Sequence, residues 1–429
     1  SLVGSEMCIR DRSMLVQYAV SNYKSIKDEV IINFAKVDDK PDDRWCISVE
    51  KPGYKLYNTI GLIGPNASGK SNIIDSFYFA IKFIKNTISR KEKSKINAEP
   101  FMLDDQTRRQ PSGFEFIYLY QGIKYVYGFS VSSTRVEEEY LLAYYTAKPT
   151  TVFERQNGNE YNFRGNDVSR QKELSERTNA NRLYLPVAAE WGYHKLSLAY
   201  SWFESMFEQY ENVRISDVLE NIVDNKEKKA VLLDSLRKAD FNITDIYVKN
   251  RKIEKQQLDI IRDMISRLLP ETDLDNIPES EPQIYVTHKN KQNYEYSIDL
   301  EEDSSGTKSI VYDIAELLYL SEGGFILEDE LGRNYHTKLT EYYLKLIGKL
   351  GPEHNQVQLL FASHDTKILN LLNQGQVYFV DKDDQGATFL KLLDDYIIRE
   401  KDNIELGYLK GRYGAIPYIC LLYTSDAAD

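Results

Sequence analysis

The chain has 429 residues, 42% hydrophobic and 28% charged, an ordinary globular balance in a length beyond what one core usually holds, so two lobes or one core with a large insertion are expected. No apolar run approaches the roughly 20 residues that span a bilayer, which argues against membrane insertion. The formal charge of −12, from 54 Lys and Arg against 66 Asp and Glu, opposes a broad phosphate-neutralising surface but leaves room for a local basic stripe.

In chain order, the first segment, SLVGSEMCIRDRS at 1–13, and the last, CLLYTSDAAD at 420–429, read as translated adapter read-through and are set aside from the fold. The alternative is a natural tail at each end. Without Asp426 and Asp429 the charge of −12 becomes −10, because Glu6, Arg10, Asp11 and Arg12 cancel. Cys46 is then the sole cysteine, so an internal disulfide or a paired-thiolate zinc site is excluded and a cytoplasmic location is expected.

Residues 15–34 carry Val, Ile, Tyr and Phe in loose alternation, predicting two strands with a turn at 22–25. An apolar run at 58–63 ends in a glycine-rich loop, and 72–88 place apolar residues at helical spacing. FEFIYLY and KYVYGFSV, separated by Gln121-Gly122, predict a hairpin over 114–131, with further strand to about 163. Amphipathic stretches at 169–178, 197–210, 215–239 and 253–269, closed by Pro270, predict a helical insertion over 164–282, whose acidic, Pro-containing end at 271–282 reads as a return linker. From 283 the pattern alternates: strand to 300, helix 307–320, strand 325–327, helix 337–350, strand 358–362, helix 367–372, strands 377–380 and 388–392. Such alternation predicts a mainly parallel sheet with helices on its faces.

The sharpest motif is GPNASGKS at 64–71, fitting G-x-x-x-x-G-K-[ST] between a strand and a helix. Gly64 and Gly69 let the loop curl around an anion. The amides of Pro65's successors Asn66, Ala67 and Ser68, with the start of the helix at Lys70, Ser71 and Asn72, then face the phosphates of ATP. Lys70 neutralises β/γ oxygens, and Ser71 is a magnesium ligand. A second acid is needed on a neighbouring strand, and FILEDE at 325–330 supplies it: Asp329 for Mg2+, directly or through water, and Glu330 as general base on the attacking water.

These residues resemble the ABC/SMC-like AAA-family ATPases of bacteria, relatives of the RecF and OLD ATPase heads often found in phage-defence loci. DSSGTKS at 303–309 is similar to the family's signature loop, which implies that Ser305 and Gly306 contact a γ-phosphate held by the opposite subunit; independently, both precede an amphipathic helix whose amides can bind an anion. DELGRNYH at 329–336 resembles the segment after the Walker B acids, with Gly332 where the family has Asp. FASHDTKIL places His364 where the family has its γ-phosphate-sensing switch histidine, and GYLKGRYGAIPYI at 407–419 resembles a terminal stretch of the family. Gln121 and Glu115 are alternative equivalents of the Q-loop residue.

The resemblance covers 14–163 and 283–419 and implies an α/β P-loop NTPase head of the ABC type. Its parts are a mixed, mainly parallel sheet, an N-terminal antiparallel β region and a helical insertion at 164–282 in place of a long coiled coil. It implies slow ATP hydrolysis, closure of a homodimer on ATP, and control of an effector such as a nuclease or toxin encoded nearby. Other readings are a DNA-repair ATPase and an ATP-bound scaffold without turnover. Lys82, Lys85, Arg90, Lys91, Lys93 and Lys95 could track nucleic acid, although a solvated helix end explains them as well. No paired-cysteine, H-E-x-x-H or serine-hydrolase pattern is present.

Overall fold

The computed structural model describes residues 13–36, 45–49, 53–164, 167–211, 215–268, 277, 279–320, 323–334, 336–349, 357–399 and 402–416. Apart from Ser13, the two end segments read as adapter-derived lie outside them, as do most of the predicted linker at 271–282 and residues 417–419 of the terminal stretch. The chain forms two compact units, one of residues 1–210 with 322–429 and one of 211–321.

In the first unit the Thr59–Ile63 strand, TIGLI, is buried along its whole length. A strand without a polar face needs neighbours on both edges and cover on both faces, and it sits third in a five-stranded sheet. The order is Gly324–Glu328, Val357–Ser363, Thr59–Ile63, Val377–Lys382, Thr388–Leu392, the first four parallel and the last antiparallel. Both Ser363 and Phe379 pair in register with Ile63. The carboxyl ends of the four parallel strands therefore share one edge, the edge where parallel α/β sheets bind ligands.

A seven-stranded antiparallel sheet runs Glu160–Phe163, Thr150–Gln156, Val136–Tyr144, Ile123–Val131, Ser112–Tyr120, Met14–Ser21, Val30–Asn33. Its central hairpin turns at Gln121 and Gly122, whose φ values of 48° and 73° give the two left-handed residues that match the strand twist. The Lys70–Asn86 helix buries Ile73, Ile74, Phe77, Ala80, Ile81 and Ile84 at helical spacing. Phe77 joins the two sheets: its ring lies 4.9 Å from Tyr18 and 5.5 Å from Phe116 on the antiparallel sheet, and stacks at 5.0 Å on Phe325 of the parallel one. The buried Gln358 amide adds a second tie, accepting from Leu15 N at 2.7 Å and donating to Leu15 O at 2.8 Å.

Helices Val168–Glu176, Tyr184–Glu190 and His194–Glu211 follow the antiparallel sheet. A fully buried ion pair organises this junction. Arg155 approaches Glu139 at 3.4 Å and donates to the carbonyls of Gly158, Ala180 and Arg182. Glu139 accepts from Tyr127 Oη and from the amides of Tyr184 and Leu185. The Tyr184–Glu190 helix has no side-chain cap of its own, so this carboxylate from another element satisfies its first amides.

Near the end of the chain, the Ile404–Leu409 helix and residues 411–416 form a clasp beneath the Val377–Lys382 strand. Tyr408 and Tyr413 stack on Phe379 at 5.2 and 5.4 Å, and Ala415 N donates to Asp381 at 2.9 Å. Much of the terminal stretch beginning at Gly407 is thus structural support for that strand. The predicted helix at 367–372 is a 3-10 turn, Thr366–Asn370, capped by Asp365.

The second unit contains the helices Ile215–Asp224, Lys226–Lys238, Lys255–Leu268 and Ser305–Tyr319 and a three-stranded antiparallel sheet of Ile243–Lys252, Ser280–Lys289 and Glu295–Asp299. The stretch predicted as one helix over 215–239 is two, because Asn225 caps the second by accepting from the amides of Glu227 and Lys228. The Ile243–Lys252 strand falls within the insertion predicted as helical, between its amphipathic stretches at 215–239 and 253–269.

The buried pair gives a stability test. Glu139→Ala leaves the Arg155 charge uncompensated in the interior and is expected to cost about 3–5 kcal/mol in urea unfolding, against about 1 kcal/mol for Tyr127→Phe, which removes one hydrogen bond. Equal small losses for both variants would show that the pair does not hold this junction together.

Candidate functional site

The loop after the Thr59–Ile63 strand is shaped by close contacts with the backbone of Val380 and the side chain of Thr388. A Cβ at Gly64 would lie 2.3 Å from the Val380 carbonyl oxygen, and one at Gly69 would lie 2.0 Å from Thr388 Oγ1. Gly69 has φ 108°, and Ala67 at the loop crest has φ 65°, a left-handed conformation that costs an alanine roughly 1 kcal/mol or more. Thr388 fastens the loop from outside: its hydroxyl donates to Ser68 O at 3.0 Å and lies 2.7 Å from Ser25 Oγ, which accepts from Asn72 Nδ2 at 2.6 Å.

Within this frame Lys70 is buried, and its ammonium donates to the carbonyls of Gly64 and Pro65, both at 2.8 Å. Burial pushes its pKa down while the charges of Asp329 and Glu330 hold it up. The buried Ser68 hydroxyl has no hydrogen-bond partner, and the amides of Gly69, Lys70 and Ser71 have none among the described residues. An orphaned hydroxyl, free helix-start amides and a buried ammonium make a donor set complementary to a polyphosphate. Ser71 and Asp329, one hydroxyl and one carboxylate, both exposed, suit magnesium, which takes few protein ligands and completes its shell with phosphate oxygens and water.

Glu330 and His364 join the loop in one cavity of about 230 Å³, lined by Asn66, Ala67, Gly69, Lys70, Ser71, Asn72, Glu330, Ser363, His364 and Lys382. Gly64, Pro65 and Ser68 of the loop, and Asp329, do not line it. Asp329 is the first residue past its strand, and Glu330 follows with φ 61°. The Glu330 carboxylate, half exposed, pairs with Arg333 at 3.1 Å. Leu331 N donates to Ala362 O, while Ser363 Oγ donates to Leu331 O and accepts from Asp365 N, so Ser363 couples the acidic turn to the histidine turn.

Ser363, Lys382 and Arg333 were not read as site residues. Ser363 and Lys382 end strands, and strand pairing, not any local motif, brings them to the loop. Gly332, standing where Asp is expected, has φ 88°, and a Cβ there would meet Thr340 Oγ1 at 2.5 Å; this turn is built around glycine. Neither Q-loop candidate lines the cavity. Gln121 lines a separate cavity of about 260 Å³ with Trp202 and Gln358, and Glu115 accepts a very short hydrogen bond from Tyr140.

In the second unit, Ser305 and Gly306 are the first two residues of the Ser305–Tyr319 helix. The cap is Ser304, whose hydroxyl accepts from Thr307 N at 3.1 Å. The amides of Ser305 and Gly306 have no hydrogen-bond partner among the described residues, and Ser305 is exposed. Asp303 pairs with His288 at 2.8 Å and accepts from Ser304 N, fixing the turn. In the basic stretch at 82–95, Arg90 lies over the Phe83 ring, and its carbonyl and that of Lys91 accept from Arg182 and Asn181. No helix among the described residues is long and apolar enough to cross a membrane.

Among solved structures, the chain is similar to an SMC head bound to the C-winged helix domain of ScpA, at 14% identity and a TM-score of 0.40, covering 88% of this chain and 96% of that one. It is also similar to the SMC head domain from Thermotoga maritima, at 12% identity and a TM-score of 0.34, covering 88% and 98%. At those scores the overlays are loose and carry no weight. No curated protein matches the sequence. A family model does match, over residues 60–370, a span that takes in the phosphate loop, the acidic turn and the histidine turn, and by it the chain belongs to the family described as "AAA domain, putative AbiEii toxin, Type IV TA system".

Proposed function

We propose that the chain is a magnesium-dependent ATPase whose nucleotide state sets its own assembly and, through it, the activity of a partner effector. The observation that supports this most is the single cavity in which a buried lysine, a glycine-shaped loop, a carboxylate on a strained turn and a histidine converge. Lys70 and the amides of Gly69, Lys70 and Ser71 would bind the triphosphate; Ser71 and Asp329 would hold the metal, which when bound neutralises charge on the phosphate oxygens. Glu330 would take a proton from the attacking water after leaving Arg333, a change that costs little because exposed ion pairs contribute about 0–1 kcal/mol. His364 would sense the terminal phosphate.

In this reading two copies close over two nucleotides, and Ser305 and Gly306 of the second copy, with amides free at a helix start, complete the γ-phosphate site. The effector would be a nuclease or toxin in a phage-defence setting in the cytosol; the family's description, which names a toxin and a toxin–antitoxin system, supports that setting. The Arg333–Glu330 pair favours one second reading, an ATP-bound scaffold whose base stays neutralised and which does not turn over.

Two variants separate these readings. Lys70→Ala is expected to lower ATP turnover by roughly 10²–10³-fold with a far-UV spectrum like the parent's; unaltered turnover would sink the ATPase assignment. Glu330→Gln is expected to abolish phosphate release while holding ATP, and to run as a dimer in size-exclusion chromatography with Mg-ATP. A parent without phosphate release, eluting identically to Glu330→Gln, would favour the scaffold.

A further inference from the structure

Lys70 is not the only cation facing the cavity. Lys382, the last residue of the Val377–Lys382 strand, also lines it, and its position follows from strand order. The acidic turn follows the first strand of the sheet and the histidine turn the second; the phosphate loop follows the third, and Lys382 ends the fourth. It therefore approaches the loop from the flank opposite Glu330 and His364. Val380, two residues earlier, packs its carbonyl against Gly64, and Lys382 pairs in register with Thr388, whose hydroxyl holds Ser68 O. Both residues that frame Lys382 thus touch the loop.

Among the described residues the side chain has no partner. Of the two carboxylates adjacent in sequence, Asp381 accepts from the Lys382 backbone amide and from Ala415 N, and Asp383 accepts from the amides of Gln385 and Ala387, so both are held by backbone donors. No carboxylate lies within ion-pair distance of the Lys382 ammonium among the described residues. The Lys70 ammonium, by contrast, is spent on two loop carbonyls. Among the described residues, the free cation of this cavity is the one that the motif does not include.

Resting on the ATP-binding reading and deepening it, we propose that Lys382 is a nucleotide-binding residue, its ammonium taking a phosphate oxygen on the flank away from the scissile end. It therefore sets affinity for ADP and ATP alike. A charge-assisted contact at an exposed position is expected to contribute about tenfold in affinity. It also steepens the salt dependence, because one more cation is neutralised on binding.

The test is calorimetric titration of the full chain with Mg-ADP and with a non-hydrolysable ATP analogue. Lys382→Gln should weaken both by about tenfold, with an unchanged ratio between them and a shallower loss of affinity with added salt, whereas Lys382→Arg should retain affinity. If Lys382→Gln binds both nucleotides as the parent does while Lys70→Ala has lost them, Lys382 is a solvated strand end and only this inference fails. A loss confined to the ATP analogue would place the ammonium at the scissile end and overturn the flank assignment. A parent that binds neither nucleotide removes the ATP-binding reading itself.

Discussion

The close approach of the phosphate loop to the hairpin formed by Val377–Lys382 and Thr388–Leu392 is the constraint on which the site depends. Gly64 lies against the Val380 carbonyl and Gly69 against the Thr388 side chain, at distances where a Cβ would overlap. These glycines are usually explained by the ligand, since a phosphate needs close access to peptide amides. Here the neighbouring strands require them too. The loop is held between a helix it begins and a hairpin it touches, so its amides are oriented by contacts within the chain.

That fixation balances local strain. Ala67 and Glu330 both occupy left-handed backbone conformations, which in non-glycine residues cost of order 1–3 kcal/mol each. The contacts around them explain why the conformations persist. The Ser68 carbonyl is held by Thr388, one residue past Ala67; Leu331, one residue past Glu330, is held at both its amide and its carbonyl by Ala362 and Ser363. Each strained residue is followed by one locked in place, so the strain cannot relax by a shift of the loop.

What could be read from the sequence was whatever is encoded by neighbours in the chain. The phosphate loop lies between a five-residue apolar strand and an amphipathic helix, and the Gln121-Gly122 turn between two aromatic strands; each signal is one contiguous stretch of chain. The resemblance to ABC/SMC-like AAA-family ATPases rested on such segments and agrees with the family matched over 60–370. Ser363 and Lys382 were not legible because strand order, set by contacts hundreds of residues apart, brings them to the loop. The Ile243–Lys252 strand was not legible because it lies in the gap between the amphipathic stretches at 215–239 and 253–269, and its partner Ser280–Lys289 follows only after the Lys255–Leu268 helix. The split at Asn225 was missed because the apolar spacing continues across it, while the cap depends on one side chain.

The unliganded arrangement has a consequence for how binding energy is used. Lys70 already donates to two loop carbonyls, and Glu330 already has Arg333 as a counter-ion, so engaging a triphosphate and water exchanges partners for both groups. Net gain must then come more from groups that exchange only water and no partner among the described residues: the amides at the helix start and the Lys382 ammonium. In a chain of formal charge −12 the overall field repels an anion, and screening limits that repulsion to about 8–10 Å at physiological salt. Two ammonium groups bordering one small cavity can outweigh it locally, and anion selectivity here becomes a property of the cavity instead of the surface.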